Sequence, residues 1–381
     1  MRLRSLATFT CVGIAAGCSL VRSFDGFGDG VDAGDYADSA SEGDAATADS
    51  SPSDATATGD ATGLDGATDS GLGDAAGDAT HPPVTCTLTR LATFGSTPAS
   101  ADYPNALSLS DAAVYVVTGS RVDGGSDGST VYRLPKTGGN PKVILETAEV
   151  VEGCAEHSGE LICGLGKRIA RVLADGGTTT LAPVAQEITD FDEGPDGLVL
   201  GSNTNAAWYY PWDSGVLQQR SVAGRAYRIR ADDSRIYYAT ETVGRLQSLA
   251  ISDWARADAG PCNLVSNKSA THLSLCPEGL FWVDLNRNVQ RTPLDACDAG
   301  GNVEIFSSPT LGLTANPKFV FIREPTRVRL QWIDTASPAC ARALLDGGST
   351  ADLGGVMAAF AGNDVYFLAP PALYHLAATV P

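Results

Sequence analysis

Short apolar–aromatic runs recur along the chain, each preceded by a polar turn and followed by a shorter alternating run. Residues 279–294, GLFWVDLNRNVQRTPL, show the unit: glycine turn, apolar run, polar knot, alternating run. The apolar run returns as AVYVVTG from Ala113, ELICGLG from Glu160, GLVLGSN from Gly197, RIYYATE from Arg235, KFVFIRE from Lys318 and DVYFLAP from Asp364. Aligned on Val114, Leu161, Leu198, Ile236, Leu280, Phe319 and Val365, the copies lie 47, 37, 38, 44, 39 and 46 residues apart. A mean of about 42 residues is the period of one four-stranded propeller blade.

The flanking segments repeat as well. Small or acidic turns precede the runs (LSD, HSG, GPDG, DDS, CPEG, NP, GND), residue types that tolerate tight turns. Upstream lies another short strand, such as NALSLS, ITDFDE, AYRIRA or THLSLC. Downstream come a third (VYRLP, IARVL, WYYPW, LQSLA, VQRTP, LQWID, LYHLA) and a fourth (PKVILE, TTTLAP, VLQQRS, CNLVSN, VEIFSS, RALLDG). Short alternating strands joined by turns predict an all-β fold. The seventh copy has no fourth strand, whereas TCTLTRLATFG from Thr85 is a strand without a blade. If it completes the last blade, one β-propeller of seven four-stranded blades closes without an open edge at the seam. Spacing alone leaves six or eight blades, and a β-sandwich, open. The repeat resembles seven-bladed propellers of the TolB-like and NHL-like kind, and propeller lipoproteins of myxobacterial envelopes. The resemblance covers residues 85–381, without the α/β domain that precedes the propeller in TolB.

The chain opens MRLRSLATFTCVGIAAGCSL, two arginines followed by an apolar segment too short to span a bilayer. Residues 1–17 are read as a secretory signal peptide. The closing AAGC resembles the bacterial lipobox, although Ala15 stands where the family usually has Leu. The resemblance implies acylation of Cys18 and attachment to a membrane of the cell envelope. Ser19 favours the outer membrane under the enterobacterial sorting rule; ordinary cleavage would instead give a secreted protein. Residues 18–84 follow as a tether. Between 25 and 80 there are thirteen Asp, one Glu and no Lys or Arg, which accounts for −14 of the net charge of −19. Such composition buries too little apolar surface to offset the entropy of ordering, and predicts disorder. A flexible coil of this length has an end-to-end distance of about 45 Å. Its carboxylates lack the fixed positions and closing Glu of an EF-hand loop.

Residues 85–381 hold 23 basic and 31 acidic side chains, which argues against a nucleic-acid partner. His81, His157, His272 and His375 show no metal spacing, and neither GxSxG nor CxxC occurs. GLGK from Gly164 lacks the context of a phosphate loop and reads as a hairpin turn. No cofactor, metal or catalytic residue is assigned. Cys154 and Cys163 flank the Ser158–Gly159 turn symmetrically, predicting a cross-strand disulfide. Pairing among Cys86, Cys262, Cys276, Cys297 and Cys340 is not legible, and the odd total leaves one thiol free or intermolecular.

Loops joining second to third strands emerge on one face. They carry Arg121, Lys167, Arg168, Arg245, Arg287, Arg323 and Arg327 against Asp123, Asp127, Glu241, Asp284 and Glu324. This mildly basic face on an acidic domain suits an anionic glycan, a peptide or a protein, since the Arg fork matches carboxylate and phosphate. The first reading is therefore a monomeric, envelope-tethered propeller that binds a macromolecular partner or cell-surface glycan. The second is a lyase or hydrolase at the channel mouth, which requires His, Glu or Asp clustered where the first strands begin.

Overall fold

The computed structural model describes residues 81–94, 104–119, 128–240, 244–266, 268–295, 297, 301–307, 309–334, 338–344, 358–369 and 371–380. The signal peptide, Cys18, the acidic segment and Arg121 lie outside the described residues.

Strand β1 (Thr85–Thr93) is followed by seven repeats. Blade 1 is β2 (Pro104–Leu109), β3 (Ala113–Gly119), β4 (Ser129–Pro135) and β5 (Lys142–Thr147). Blade 2 is β6 (Val151–His157), β7 (Glu160–Leu165), β8 (Arg168–Val172) and β9 (Thr178–Pro183). Blade 3 is β10 (Ile188–Gly194), β11 (Gly197–Ser202), β12 (Ala206–Pro211) and β13 (Gln218–Ser221). Blade 4 is β14 (Ala226–Ala231), β15 (Arg235–Thr240), β16 (Arg245–Ala250) and β17 (Cys262–Val265). Blade 5 is β18 (Ala270–Cys276), β19 (Gly279–Asp284), β20 (Val289–Thr292) and β21 (Val303–Phe306). Blade 6 is β22 (Gly312–Ala315), β23 (Phe319–Arg323), β24 (Arg327–Trp332) and β25 (Pro338–Ala343). Blade 7 has β26 (Ala358–Ala361), β27 (Asp364–Ala369) and β28 (Ala372–Thr379), with β1 as its outermost strand. The chain is thus a seven-bladed β-propeller closed by its N-terminal strand. Among the described residues no helix is long and apolar enough to cross a membrane.

Each blade packs face to face against its neighbours, so its middle strands are covered on both sides. That is why β3, β11 and β19 are buried at every position and read as continuous apolar runs. The core is divided among the blade interfaces: Phe191, Trp208 and Tyr210 pack with Ile162 and Ile169, and Phe319 and Phe321 with Phe367 and Tyr374. Phe191 of blade 3 lies against Gly153 and Gly164 of blade 2; a Cβ on Gly164 would stand 3.0 Å from its Cδ2. The outermost strands face solvent, as β13 and β25 do.

The repeat extends to single hydrogen bonds. The residue leaving the fourth strand donates its N–H to the loop between second and third strands: Val184 to Lys167 O (2.7 Å), Val222 to Asn205 O (3.1 Å), Lys268 to Gly244 O (2.8 Å), Thr310 to Arg287 O (3.2 Å) and Leu344 to Thr326 O (3.0 Å). Polar residues also close first-to-second turns with their own side chains: Asp232 Oδ1 accepts from the N–H groups of Ser234 and Arg235, and Asn316 Oδ1 from those of Lys318 and Phe319.

Cys154 and Cys163 face each other across β6 and β7 and are bridged. Cys262 is bridged to Cys297, tying blade 4 to blade 5. Cys86 is bridged to Cys340, so the closing strand β1 is stapled to the outermost strand of blade 6. Arg342 adds donors to Cys86 O at 3.1 and 2.7 Å from Nε and Nη2. Cys276 is a buried free thiol. One sequence expectation shifts. The last strand of blade 6 is Pro338–Ala343, which begins four residues before RALLDG and includes Cys340. The cause is a tight hairpin in which Glu324 N–H bonds Arg327 O at 2.9 Å, so that the third strand starts at Arg327.

Candidate ligand face and central channel

The innermost strand of each blade is a sheet edge, and its inward N–H and C=O groups need partners. Side chains of the preceding blade supply several. Asp190 Oδ2 accepts from Ile229 N–H (2.7 Å) and Asp192 Oδ2 from Ala231 N–H (3.3 Å). Arg228 Nε donates to Thr271 O (2.7 Å) and Arg230 Nε to Leu273 O (3.0 Å). Ser274 Oγ then accepts from Ala315 N–H (3.0 Å), one blade further on. A register shift shared by β2, β6, β10, β14 and β18 brings Ala106, Gly153, Asp190, Arg228 and His272 to equivalent positions. Only three of the five positions carry ionisable groups, so charge concentrates in blades 3 to 5.

This cluster is sealed. Asp190, Asp192, Arg228, Arg230 and His272 are all at most 5% exposed. Asp190 and Arg230 form a buried ion pair, 2.8 Å from Oδ2 to Nη1. Burial, and then the charges of Asp190 and Glu193, push the Asp192 carboxyl up to about 8 against the pull of Arg230. Burial, then Arg228, Arg230 and Arg287, push His272 down to about 3. Thr271 Oγ1 donates to Val283 O (3.2 Å) and therefore accepts from His272 Nδ1 (3.1 Å), which leaves Nε2 unprotonated. The carboxyls of Asp190 and Asp192 join blade 3 to blade 4, and the neutral His272 imidazole is bonded to its neighbour Thr271; groups so removed from solvent are poorly placed to exchange protons with a substrate.

Above the cluster lies the face formed by second-to-third loops. Lys167, Arg245 and Arg327 are exposed there, Arg287 is half-buried, and Arg323 is 3% exposed. Two blades neutralise their own cations. Arg327 Nε and Nη2 bind Glu324 at 2.6 and 3.0 Å. Arg168 clamps Glu149 through Nε and Nη2. Over blades 4 and 5, Arg245 is exposed and Arg287 is half-buried. Arg287 sits in the left-handed region (φ 65°) of a loop organised by Asp284, whose Oδ1 accepts the N–H groups of Asn286 and Asn288, each at 2.9 Å. Beside it Leu285 is 70% exposed.

Two exposed cations in this quadrant, Arg225 and Lys268, were not among the loop candidates. They belong to fourth-to-first connections, which surface on the same face. Arg225 precedes Ala226, which pairs with Thr240, itself opposite Arg245. Lys268 is joined through its N–H to Gly244.

The opposite face differs. Tyr115 O–H donates to Glu156 (2.5 Å), and His157 stacks on Trp212 with centroids 4.1 Å apart. His157 Nδ1 is 3.9 Å from Glu193, a carboxyl about a third exposed and pushed up to about 7 by burial and by Glu156. The chain enters β1 from this side, with His81 stacked on Trp332 (4.4 Å) and 3.0 Å from Asp334.

No protein-family model and no curated protein sequence matches the chain. Solved propellers do. BBS1N, in complex with ARL6DN, superposes with a TM-score of 0.54 at 11% identity over 79% of this chain and 98% of that one. The WD40 β-propeller domain of Doa1 gives 0.54 at 11% over 76% and 97%. BamB from Moraxella catarrhalis gives 0.51 at 10% over 77% and 97%. At such identity the likeness is one of fold.

Proposed function

We propose that this protein is an envelope lipoprotein, acylated at Cys18, whose propeller binds an anionic macromolecule on the blade 4–5 quadrant and performs no chemistry of its own. The observation that carries the reading is that Arg225, Arg245 and Lys268 are exposed and Arg287 is half-buried on adjoining connections of blades 4 and 5, on a face where Arg168 and Arg327 hold Glu149 and Glu324. Propellers commonly serve as protein-binding scaffolds, and BBS1N was solved bound to ARL6DN. The exposed Leu285 beside Arg287 adds an apolar contact of the kind protein interfaces use at their centres. The kinship with TolB-like and myxobacterial propeller lipoproteins rests on the repeat and the lipobox.

The test is Arg245→Glu/Lys268→Glu/Arg287→Glu in one chain. Exposed charge pairs contribute roughly 0.5 kcal/mol each, so the triple variant is expected to bind polyaspartate or polygalacturonate at least ~10-fold more weakly. Unchanged affinity for both polymers rules the face out. Separately, Cys18→Ser is expected to move the protein from the membrane fraction to the soluble one.

A further inference from the structure

We infer that β1 is a releasable strap whose latch is the Cys86–Cys340 bridge: opening that disulfide frees the closing strand from the edge of blade 7 while the rest of the ring stays folded. The latch is independent of the ligand face proposed above. It follows from how unevenly β1 is fastened.

The strap crosses three blades. Its backbone pairs with β28 of blade 7, from Thr85 opposite Thr379 to Thr93 opposite Ala372. Its entry is fixed to blade 6 by the bridge to Cys340, by the Arg342 donors to Cys86 O and by His81 stacked on Trp332. Its exit reaches blade 1, where the ring of Phe94 stands 5.5 Å from that of Tyr132. Yet little of the strand is buried. Cys86 is the one buried residue of β1; Leu88, Leu91 and Ala92 are half-buried and the other five face solvent. Its neighbour β28 buries five of its eight residues. β1 also pairs along one edge only, and a bulge between Arg90 and Ala92 interrupts that ladder. An outer strand with so few buried contacts opens locally at a fraction of the global cost. A crosslink at its second residue suppresses that opening, and removing it restores the opening by a factor on the order of 100.

The latch opens by thiol–disulfide exchange with a dithiol. One thiolate attacks the sulfur of Cys340, which is half-buried where Cys86 is 3% exposed, and Cys86 leaves as a thiolate that takes a proton. The second thiol then displaces Cys340, so two electrons and two protons pass to the protein and the reductant closes to a cyclic disulfide. Cys154 and Cys163, at most 2% exposed, are sealed against this attack, whereas Cys297 is exposed and its bridge to Cys262 opens as well. Once β1 has left, the outer edge of β28 is unpaired and an extended segment can add there.

The experiment is native-state trypsin digestion of the full-length chain, oxidised, against Cys86→Ser/Cys340→Ser. Arg90 lies within β1, so cutting after it reports release of the strand. Cleavage there is expected to be ~100-fold faster in the variant, well ahead of sites in the strands of blades 3 to 5. Cys154→Ala/Cys163→Ala, which shortens no strap, is expected to leave the Arg90 rate as in the native chain. An unchanged Arg90 rate in Cys86→Ser/Cys340→Ser overturns the latch, and so does cleavage in the strands of blades 3 to 5 at the same pace, which would mean that the bridge adds only to global stability. A second readout needs no substitution in the latch. A biotinylated peptide copying residues 85–93, with Ser in place of Cys86, is expected to be retained by the native chain after treatment with dithiothreitol and not before. The Cys262→Ser/Cys297→Ser chain should behave alike. Retention before reduction, or none after it, contradicts the latch.

Discussion

Removing the Cys86–Cys340 bridge is expected to cost more stability than removing any other disulfide, because this bridge closes the ring. In the chain-entropy account, a crosslink stabilises by shrinking the unfolded ensemble in proportion to the logarithm of the loop it closes. The separation is 254 residues for Cys86–Cys340 and 9 for Cys154–Cys163. The corresponding contributions are about 5.5 and about 2.6 kcal/mol, upper values in each case. Three of the four sulfurs belong to buried residues, so cavity terms largely cancel in the comparison. For a domain of about 300 residues the entropy of unfolding is roughly 0.6 kcal/mol per kelvin, so Tm should fall by ~9 °C and ~4 °C. The assay is calorimetry of Cys86→Ala/Cys340→Ala and Cys154→Ala/Cys163→Ala, with urea titrations to check that the slope is unchanged. An equal or smaller loss for the long-range bridge would refute the reasoning. It would mean that β1 is not what holds blade 7 to blade 6, or that the unfolded chain already keeps these ends together.

The Asp192 carboxyl, held up to about 8, keeps a proton in the folded state that the unfolded chain releases near pH 3.9, so stability falls as pH rises through that window. Asp192→Asn is therefore expected to gain a few kcal/mol over the parent between pH 5 and pH 8; a pH-independent difference in Tm contradicts it. His272, pushed down to about 3, has the opposite sign, and its contribution is lost as pH falls from about 6.5, which His272→Gln should abolish in acid-denaturation curves. Asp190→Ala strands the buried Arg230 and the Ile229 N–H, at a cost of about 3–5 kcal/mol. Adding Arg230→Met should recover part of that cost in chemical denaturation, and an additive loss would count against the pair. Gly164→Val drives a side chain into Phe191 and should cost about 1–3 kcal/mol, partly relieved by Phe191→Leu.

Architecture was legible in the sequence because each blade repeats the same compromise: a doubly covered apolar strand, a polar turn and a solvent-facing last strand. The period and the orphan strand at Thr85 led to seven blades closed by β1. Blade 6 slipped by a few residues because the Glu324–Arg327 hairpin is tighter than the pattern suggested. The site was less legible. Counting loop charges could not show that Arg168 and Arg327 are consumed by Glu149 and Glu324, or that Arg323 is buried, since these depend on which blade faces which. Arg225 and Lys268 lie on fourth-to-first connections, which share the face with the second-to-third loops only once the blades are folded. The channel network was hidden for a different reason. Asp190, Arg228 and His272 each stand eight residues before an aligned second-strand position, so their equivalence is in the repeat, but that they are buried and that Asp190 and Arg228 bond the backbone of the next blade depends on how the blades pack.

The most direct measurement is hydrogen–deuterium exchange of the full-length oxidised protein with and without polygalacturonate or polyaspartate at low salt. The account requires added protection confined to backbone around residues 224–226, 244–246, 268 and 285–288, and its loss in the Arg245→Glu/Lys268→Glu/Arg287→Glu chain. Protection centred instead on Glu156, His157 and Trp212 would place the binding surface on the other face and contradict it.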